Sequence, residues 1–323
     1  MTTRKVIFDT DPGVDDATAL LFLLADPAVE LLGLTTVWGN ATVETTTRNA
    51  LFLKERFGFH APVAKGAAGS IRGGSVETDP AIHGQNGLGD IELPEPGDAR
   101  IDPRPAHRFI IDTVRANPGE VTILAVGPMT NLALALREDA GFASLVKEVV
   151  IMGGAFGYNG HLGNVSPSAE ANIWNDPEAA DMVFAADWPL VAIGLDATME
   201  TLMSNAYLAD LRDASGAVGQ FVWDITRSYA GFYHSVMGVD GIFAHDSLAA
   251  AYLTAPELVS TRAGAIRVVL DDFVRGLTVQ RPDTRKHEVE GWENRRSHLI
   301  ATGVDATAFL ALYKQRMVEL STR

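Results

Sequence analysis

Residues 6–17 read VIFDTDPGVDDA. The apolar triplet Val6-Ile7-Phe8 runs into Asp9-Thr10-Asp11-Pro12-Gly13, and Asp15 and Asp16 then open an apolar-periodic segment. The triplet reads as a buried strand, Pro12-Gly13 as the turn leaving it, and residues 15–25 as a helix. Strand, turn and helix in that order begin a βαβ unit. Carboxylates suit a first helical turn, where unpaired N–H groups and the positive end of the dipole face them. That explains one or two of the four aspartates between positions 9 and 16. Like charges so close repel, and a bound divalent cation would turn their repulsion into attraction.

The same alternation continues outward. Residues 31–38, 121–126, 148–152 and 190–195 read as strands, and 42–57, 105–116, 129–137, 177–186 and 208–233 as helices. Continuous apolar strands separated by helices predict an α/β fold with a mostly parallel, open, Rossmann-like sheet flanked by helices. Residues 266–270, 277–280 and 298–302 read as extra C-terminal strands, candidates for antiparallel pairing, and 305–320 as a closing helix. No repeat or linker interrupts the chain, so residues 1–323 are expected to form a single large domain. Two irregular stretches, 66–102 and 153–176, are long enough to suggest functional loops.

Composition narrows the partners. The chain is 47% apolar, with 26 Lys and Arg against 41 Asp and Glu, a formal net charge of -15. That excess argues against nucleic acid, which needs clustered cations, and against an anionic membrane surface. There is no cysteine, hence no thiolate metal site or cysteine nucleophile. Neither a signal-peptide core nor a membrane-length apolar run is present, and a cytoplasmic location is expected.

Three cation readings compete for the aspartates. An EF-hand needs a bidentate glutamate at loop position 12; counting from Asp9 that position is Leu20, and the reading fails. A Mg²⁺ phosphohydrolase of the haloacid-dehalogenase type would use Asp9-Thr10-Asp11 but leaves Asp15 and Asp16 unused. In the third, Asp11 and Asp16 ligate one hard cation and Asp15 faces the ligand. DTDPGVDDA resembles the N-terminal signature of the nucleoside hydrolases of inosine/uridine-preferring type. Further matches follow in order across about three quarters of the chain: VWGN (37–40), IHGQNGLG (82–89), AVGPMTNLALAL (125–136), VIMGGAF (150–156), SPSAEANIWNDPEAA (166–180) and His245-Asp246.

The motifs fall at or just after the expected strand ends, where open parallel sheets bind ligands. The resemblance implies Ca²⁺ held by Asp11, Asp16, Asp246 and the Val126 carbonyl, and a small ribonucleoside substrate. Water on a divalent cation is more acidic than bulk water, and the resemblance makes Asp11 the general base. It also implies that Asp15, Asn40, Asn164, Glu170 and Asn172 grip the ribose, with Met152 lining the sugar pocket. Asn40 and Asn164 also suit turns, and Glu170 and Asn172 suit a helix cap. Asp176-Pro177 reads as such a cap and is left out of the site. Among eight histidines, His245 is the candidate to protonate or orient the leaving base, and His83 to touch the substrate edge. Tyr229, Phe232, Tyr233 and His234 could meet a base or form the inner face of a helix, so base preference stays open. By family analogy a homo-oligomer, dimer or tetramer, is expected. A nucleoside-binding protein without catalysis is the rival from another class.

Overall fold

The expected first strand is β1 (Arg4–Thr10), followed by α1 (Val14–Ala25), β2 (Val29–Thr36) and α2 (Val43–Phe57). The computed structural model describes residues 3–323 apart from 74–79, 95–96, 98–99 and 286–289. Part of the loop expected at 66–102 therefore lies outside the described residues. The rest of it carries β3 (Val63–Ala64) at its entry, the short α3 (Pro80–His83) and β4 (Ile101–Asp102) at its end. Then come α4 (Ala106–Ala116), β5 (Val121–Ala125), α5 (Thr130–Glu138), β6 (Glu148–Met152), α6 (Ala171–Asn175), α7 (Pro177–Ala185), β7 (Leu190–Ile193) and α8 (Leu195–Thr198). A hairpin-like pair, β8 (Leu202–Ser204) and β9 (Gly241–Phe243), encloses α9 (Asn205–Ala214) and α10 (Gly216–Met237). The chain ends with α11 (His245–Tyr252), β10 (Val259–Val268), β11 (Thr278–Pro282), β12 (Ser297–Val304) and α12 (Ala306–Ser321).

Ten strands form one sheet in the order β11-β10-β12-β7-β6-β5-β1-β2-β3-β4. Every pair from β12 to β4 is parallel; β10 runs antiparallel to both β12 and β11. The C-terminal strands are thus real, and the antiparallel pairing falls at one edge.

Successive side chains of a strand point to opposite faces. Val6 and Phe8 accordingly enter one core with Phe22, Ile225, Leu248 and Tyr313, while Ile7 enters the other with Ile110, Leu132 and Phe184. Helix α1 lies beneath the first core and is buried along nearly its whole length, as a helix apolar all round should be. Asp176 caps α7 with Pro177 behind it, accepting from the Ala179 N–H at 3.2 Å. The single helix expected over 208–233 is instead two, α9 and α10. Gly216 takes φ +52° at the junction, a left-handed conformation open to glycine, and the axis turns there. The strand expected at 190–195 ends at Ile193, because Gly194 is already the N-cap of α8.

Candidate active site

After β1 the chain builds outward through β2, β3 and β4, then crosses back to place β5 on the other side of β1. The strand order reverses there, and the crevice beyond those carboxyl ends is where an open α/β sheet binds ligands. Asp11 follows β1, Val126 follows β5, and Met152 ends β6.

Two glycines let the Asp11 carboxylate sit between strand ends. A Cβ on Gly39 would lie 2.1 Å from Asp11 Oδ2, and one on Gly127 2.4 Å from Oδ1. This is the physical content of the VWGN and AVGP motifs. Oδ2 accepts from the Asn40 backbone N–H at 2.7 Å. Asp16 stands in the first turn of α1 and caps it, its Oδ2 accepting from Gly13 N–H (2.9 Å) and Asn40 Nδ2 (2.8 Å). Its Oδ1 takes the Asp11 N–H at 3.1 Å and the Thr10 hydroxyl. Asp246 arrives from the far end of the chain, in the first turn of α11.

Carboxylate oxygens of Asp15, Asp16 and Asp246 lie within 4.8 Å of one another, all buried. Asp11 Oδ1 and Asp15 Oδ1 are buried without a hydrogen-bond partner among the described residues. Burial pushes the Asp15 and Asp16 carboxyls up to about 6, and raises Asp11 and Asp246 further, aided by the neighbouring carboxylates. Among the described residues, no Lys or Arg lines the adjoining cavity. A buried, all-oxygen set with unmet acceptors fits a hard divalent cation. Asp9, the remaining aspartate of the signature, points to the opposite face of the sheet. It accepts there from Thr35 Oγ1 and from Asn131 Nδ2 at 2.8 Å and braces β1 against β2 and α5.

This arrangement has a signed consequence for pH. Free carboxyls titrate near 3.8, and Asp15 and Asp16 near 6 when folded without a cation. Between those values the folded chain keeps protons the unfolded chain has lost, so this contribution to stability is full at low pH and is lost as pH rises through about 6. A cation replaces the protons. The gain in Tm from adding a divalent cation to chelator-treated protein should therefore grow across that window. Taking the difference cancels titrations common to both samples. A gain that shrinks with rising pH would argue against a carboxylate cation site.

Beside the cluster opens a cavity of about 540 Å³. Its walls include Asp15, Asn40, His83, Val126, Met152, Asn164, Glu170, Asn172, His245 and Asp246; Asp11 and Asp16 lie buried at the turn behind Asn40. All twelve residues singled out from sequence thus gather at one place. On one wall, Asn172 Nδ2 donates to the Val126 carbonyl (2.7 Å) and the Met152 carbonyl (3.1 Å), tying the ends of β5 and β6. Glu170 is the N-cap of α6: it accepts from the N–H groups of Asn172 (2.9 Å), Ile173 (3.2 Å) and Gly154 (3.0 Å). The capping alternative is therefore realised, and Glu170 lines the cavity as well. Asn164, exposed on its loop, accepts from Ala171 N–H at 3.0 Å.

The opposite wall is aromatic. His83 Nδ1 accepts the Val14 N–H at 3.2 Å, so the ring proton sits on Nε2; the ring lies 5.1 Å from that of Tyr229. His245 bonds Thr198 Oγ1 through Nδ1 (2.8 Å) and the Tyr233 hydroxyl through Nε2 (2.7 Å), and Tyr233 reaches the Tyr229 hydroxyl at 3.2 Å. Burial lowers His83 to about 4 and His245 to about 3, so both rings are neutral at pH 7. Tyr229, Phe232 and Tyr233 face the cavity, whereas His234 pairs with Asp240 at the exposed surface. Thr198 and the tyrosine order went unread in the sequence; the i, i+4 spacing of Tyr229 and Tyr233 was the available signal.

Comparison with known proteins agrees with this picture. Residues 6–311 match the profile of the family described as inosine-uridine preferring nucleoside hydrolase. A probable uridine nucleosidase 1 of Oryza sativa subsp. japonica is 39% identical over 316 residues, covering 97% of this chain and 96% of its own. A solved plant nucleoside hydrolase, the PpNRh1 enzyme, superposes with a TM-score of 0.93 at 35% identity, covering 98% and 99% of the two chains. A purine-preferring ribonucleoside hydrolase from Gardnerella vaginalis gives 0.90 at 34% identity over the same shares. The chain therefore belongs to the inosine-uridine preferring nucleoside hydrolases, hydrolases of N-glycosyl bonds.

Proposed function

We propose that the protein hydrolyses the N-glycosidic bond of ribonucleosides in a Ca²⁺-dependent reaction, giving ribose and free base. The observation that carries this reading is the buried carboxylate cluster set beside a chain of neutral imidazole and phenol groups in one cavity. Asp11, Asp16, Asp246 and the Val126 carbonyl would hold the ion, and Asp15, which lines the cavity, would face the sugar. When bound, the ion supplies a more acidic water and a positive charge facing the ribose hydroxyls. Asp11 Oδ1, buried and unpartnered, takes the proton of the attacking water. The water oxygen bonds to the anomeric carbon as the bond to the base breaks, through an oxocarbenium-like state.

Asp15, Asn40, Asn164, Glu170 and Asn172 supply the polar contacts for the hydroxyls, and Met152 the apolar floor. The departing base needs a proton. His245 stores none at neutral pH, so its role is to orient the Tyr233 hydroxyl toward the leaving nitrogen and to share its proton. His83, with its proton on Nε2, presents a donor to the same wall.

The rivals fit less well. A dehalogenase-type nucleophile is missing from the cavity, because Asp9 faces the other side of β1, and among the described residues no Lys or Arg lines the cavity to receive a phosphate. The test is to incubate the protein with pyrimidine and purine ribonucleosides, with chelator or with Ca²⁺. Free base and reducing sugar should appear, stop on chelation and return with Ca²⁺. Phosphate released from nucleotides, or nucleoside bound without turnover, would overturn the reading.

A further inference from the structure

Asn49 is a polar side chain in the middle of α2 and is fully buried, among Thr46, Ala50 and Leu53. Asparagine is a poor residue for a helix interior, and an apolar one would pack there at lower cost. Its amide reaches out of the helix in two directions. Nδ2 donates to the Pro12 carbonyl at 2.9 Å and to the Asn86 carbonyl at 3.0 Å. Oδ1 is held by the Arg48 guanidinium, at 3.2 Å from Nε and 2.8 Å from Nη2, and Nη2 also donates to the Asn86 carbonyl at 2.7 Å.

Each of those carbonyls belongs to a segment that carries the site. Pro12 and Gly13 share one peptide unit: its carbonyl is held by Asn49 and its N–H by Asp16. Asn86 organises the loop after His83, its Oδ1 accepting from the Leu88 and Asp90 N–H groups and its Nδ2 donating to the Ile91 carbonyl. The next residue, Gly87, is left-handed, and a Cβ there would lie 2.8 Å from Asn49 Nδ2, so loop and amide are in close contact. His83 meets the aspartate turn through the Val14 N–H.

We infer that Asn49, clamped by Arg48, is a positioning residue that fastens the loop carrying His83 to the Asp11–Asp16 turn and acts on the reaction through His83. This rests on the ribonucleoside hydrolase reading. Outer groups that orient a site's side chains typically contribute about 10- to 100-fold in activity, and Asn49→Ala is expected to lower kcat/KM by that factor.

The decisive comparison is a double-mutant cycle on Ca²⁺-loaded protein with uridine and inosine: wild type, Asn49→Ala, His83→Ala and the double variant. Groups that act as a unit are not additive. Most of the Asn49→Ala loss should vanish in the His83→Ala background, and additive losses would overturn the inference. A second readout needs no turnover. Amide exchange at 84–91 should accelerate in Asn49→Ala while β1 and β5 keep their protection; unchanged exchange at 84–91 would overturn it too. Should Asn49→Ala not fold, Arg48→Met removes the clamp alone, and the same two readouts decide. Absence of turnover in the wild type would sink the hydrolase reading, and the exchange measurement would still judge the fastening.

Discussion

Asp11→Ala is expected to lower kcat for ribonucleosides by about 10²- to 10⁴-fold, the usual contribution of a positioned general base, with the fold intact. Asp11 is fixed by more than one device. Its Oδ2 is held at 2.7 Å by the Asn40 N–H, and the carboxylate fits against Gly39 and Gly127, where a Cβ would collide with it. The other oxygen has no hydrogen-bond partner among the described residues. Removing the side chain takes away a desolvated carboxyl that its neighbours repel, so the ion-free variant should melt no lower than the wild type. Base release under saturating substrate and circular dichroism melts check both halves. Turnover within a few-fold of wild type would remove Asp11 from the role of base.

The second large effect concerns the sugar. A site built to bond a hydroxyl rejects the analogue lacking it by about 10⁴-fold, because its buried polar groups are left unpaired. Asp15 faces the cavity with Oδ1 buried and unpartnered, and the Asn40 side chain is already fixed on Asp16 at 2.8 Å. These groups cannot rearrange to satisfy one another when a hydroxyl is missing. 2′-Deoxyuridine is therefore expected to show kcat/KM lower than uridine by that order. Similar values for the two would mean that the carboxylates and amides do not grip the ribose.

Much of this was legible from residue order, for physical reasons that differ by element. The Val6–Phe8 strand and the α1 helix declare themselves because an apolar run meets a turn and then carboxylates suited to a helix start. The gathering of distant motifs was legible because parallel strands deliver all their carboxyl ends to one edge. Other features depend on packing. Asp9 and Asp11 share a motif two residues apart, yet only Asp11 reaches the site: the chain leaves the β1 pleat at Thr10, so the alternation that aims Asp9 at α5 stops there. The three-residue strands β8 and β9, which bring His245 and Asp246 into place, are too short to leave a periodic signal. Gly216 carried the sign of the α9–α10 break, but a lone glycine inside a helical pattern is often tolerated. Glu170 shows that two readings can hold together, since its carboxylate caps α6 and the residue also lines the cavity.

The most direct test of the central claim is a crystal structure of the wild-type protein with Ca²⁺ and a non-hydrolysable ribonucleoside analogue. The ion should sit among Asp11, Asp16, Asp246 and the Val126 carbonyl at about 2.3–2.6 Å, the usual range for calcium and oxygen, and should also touch the ribose hydroxyls. An analogue bound elsewhere, or in this cavity with no ion between it and those carboxylates, would contradict the account.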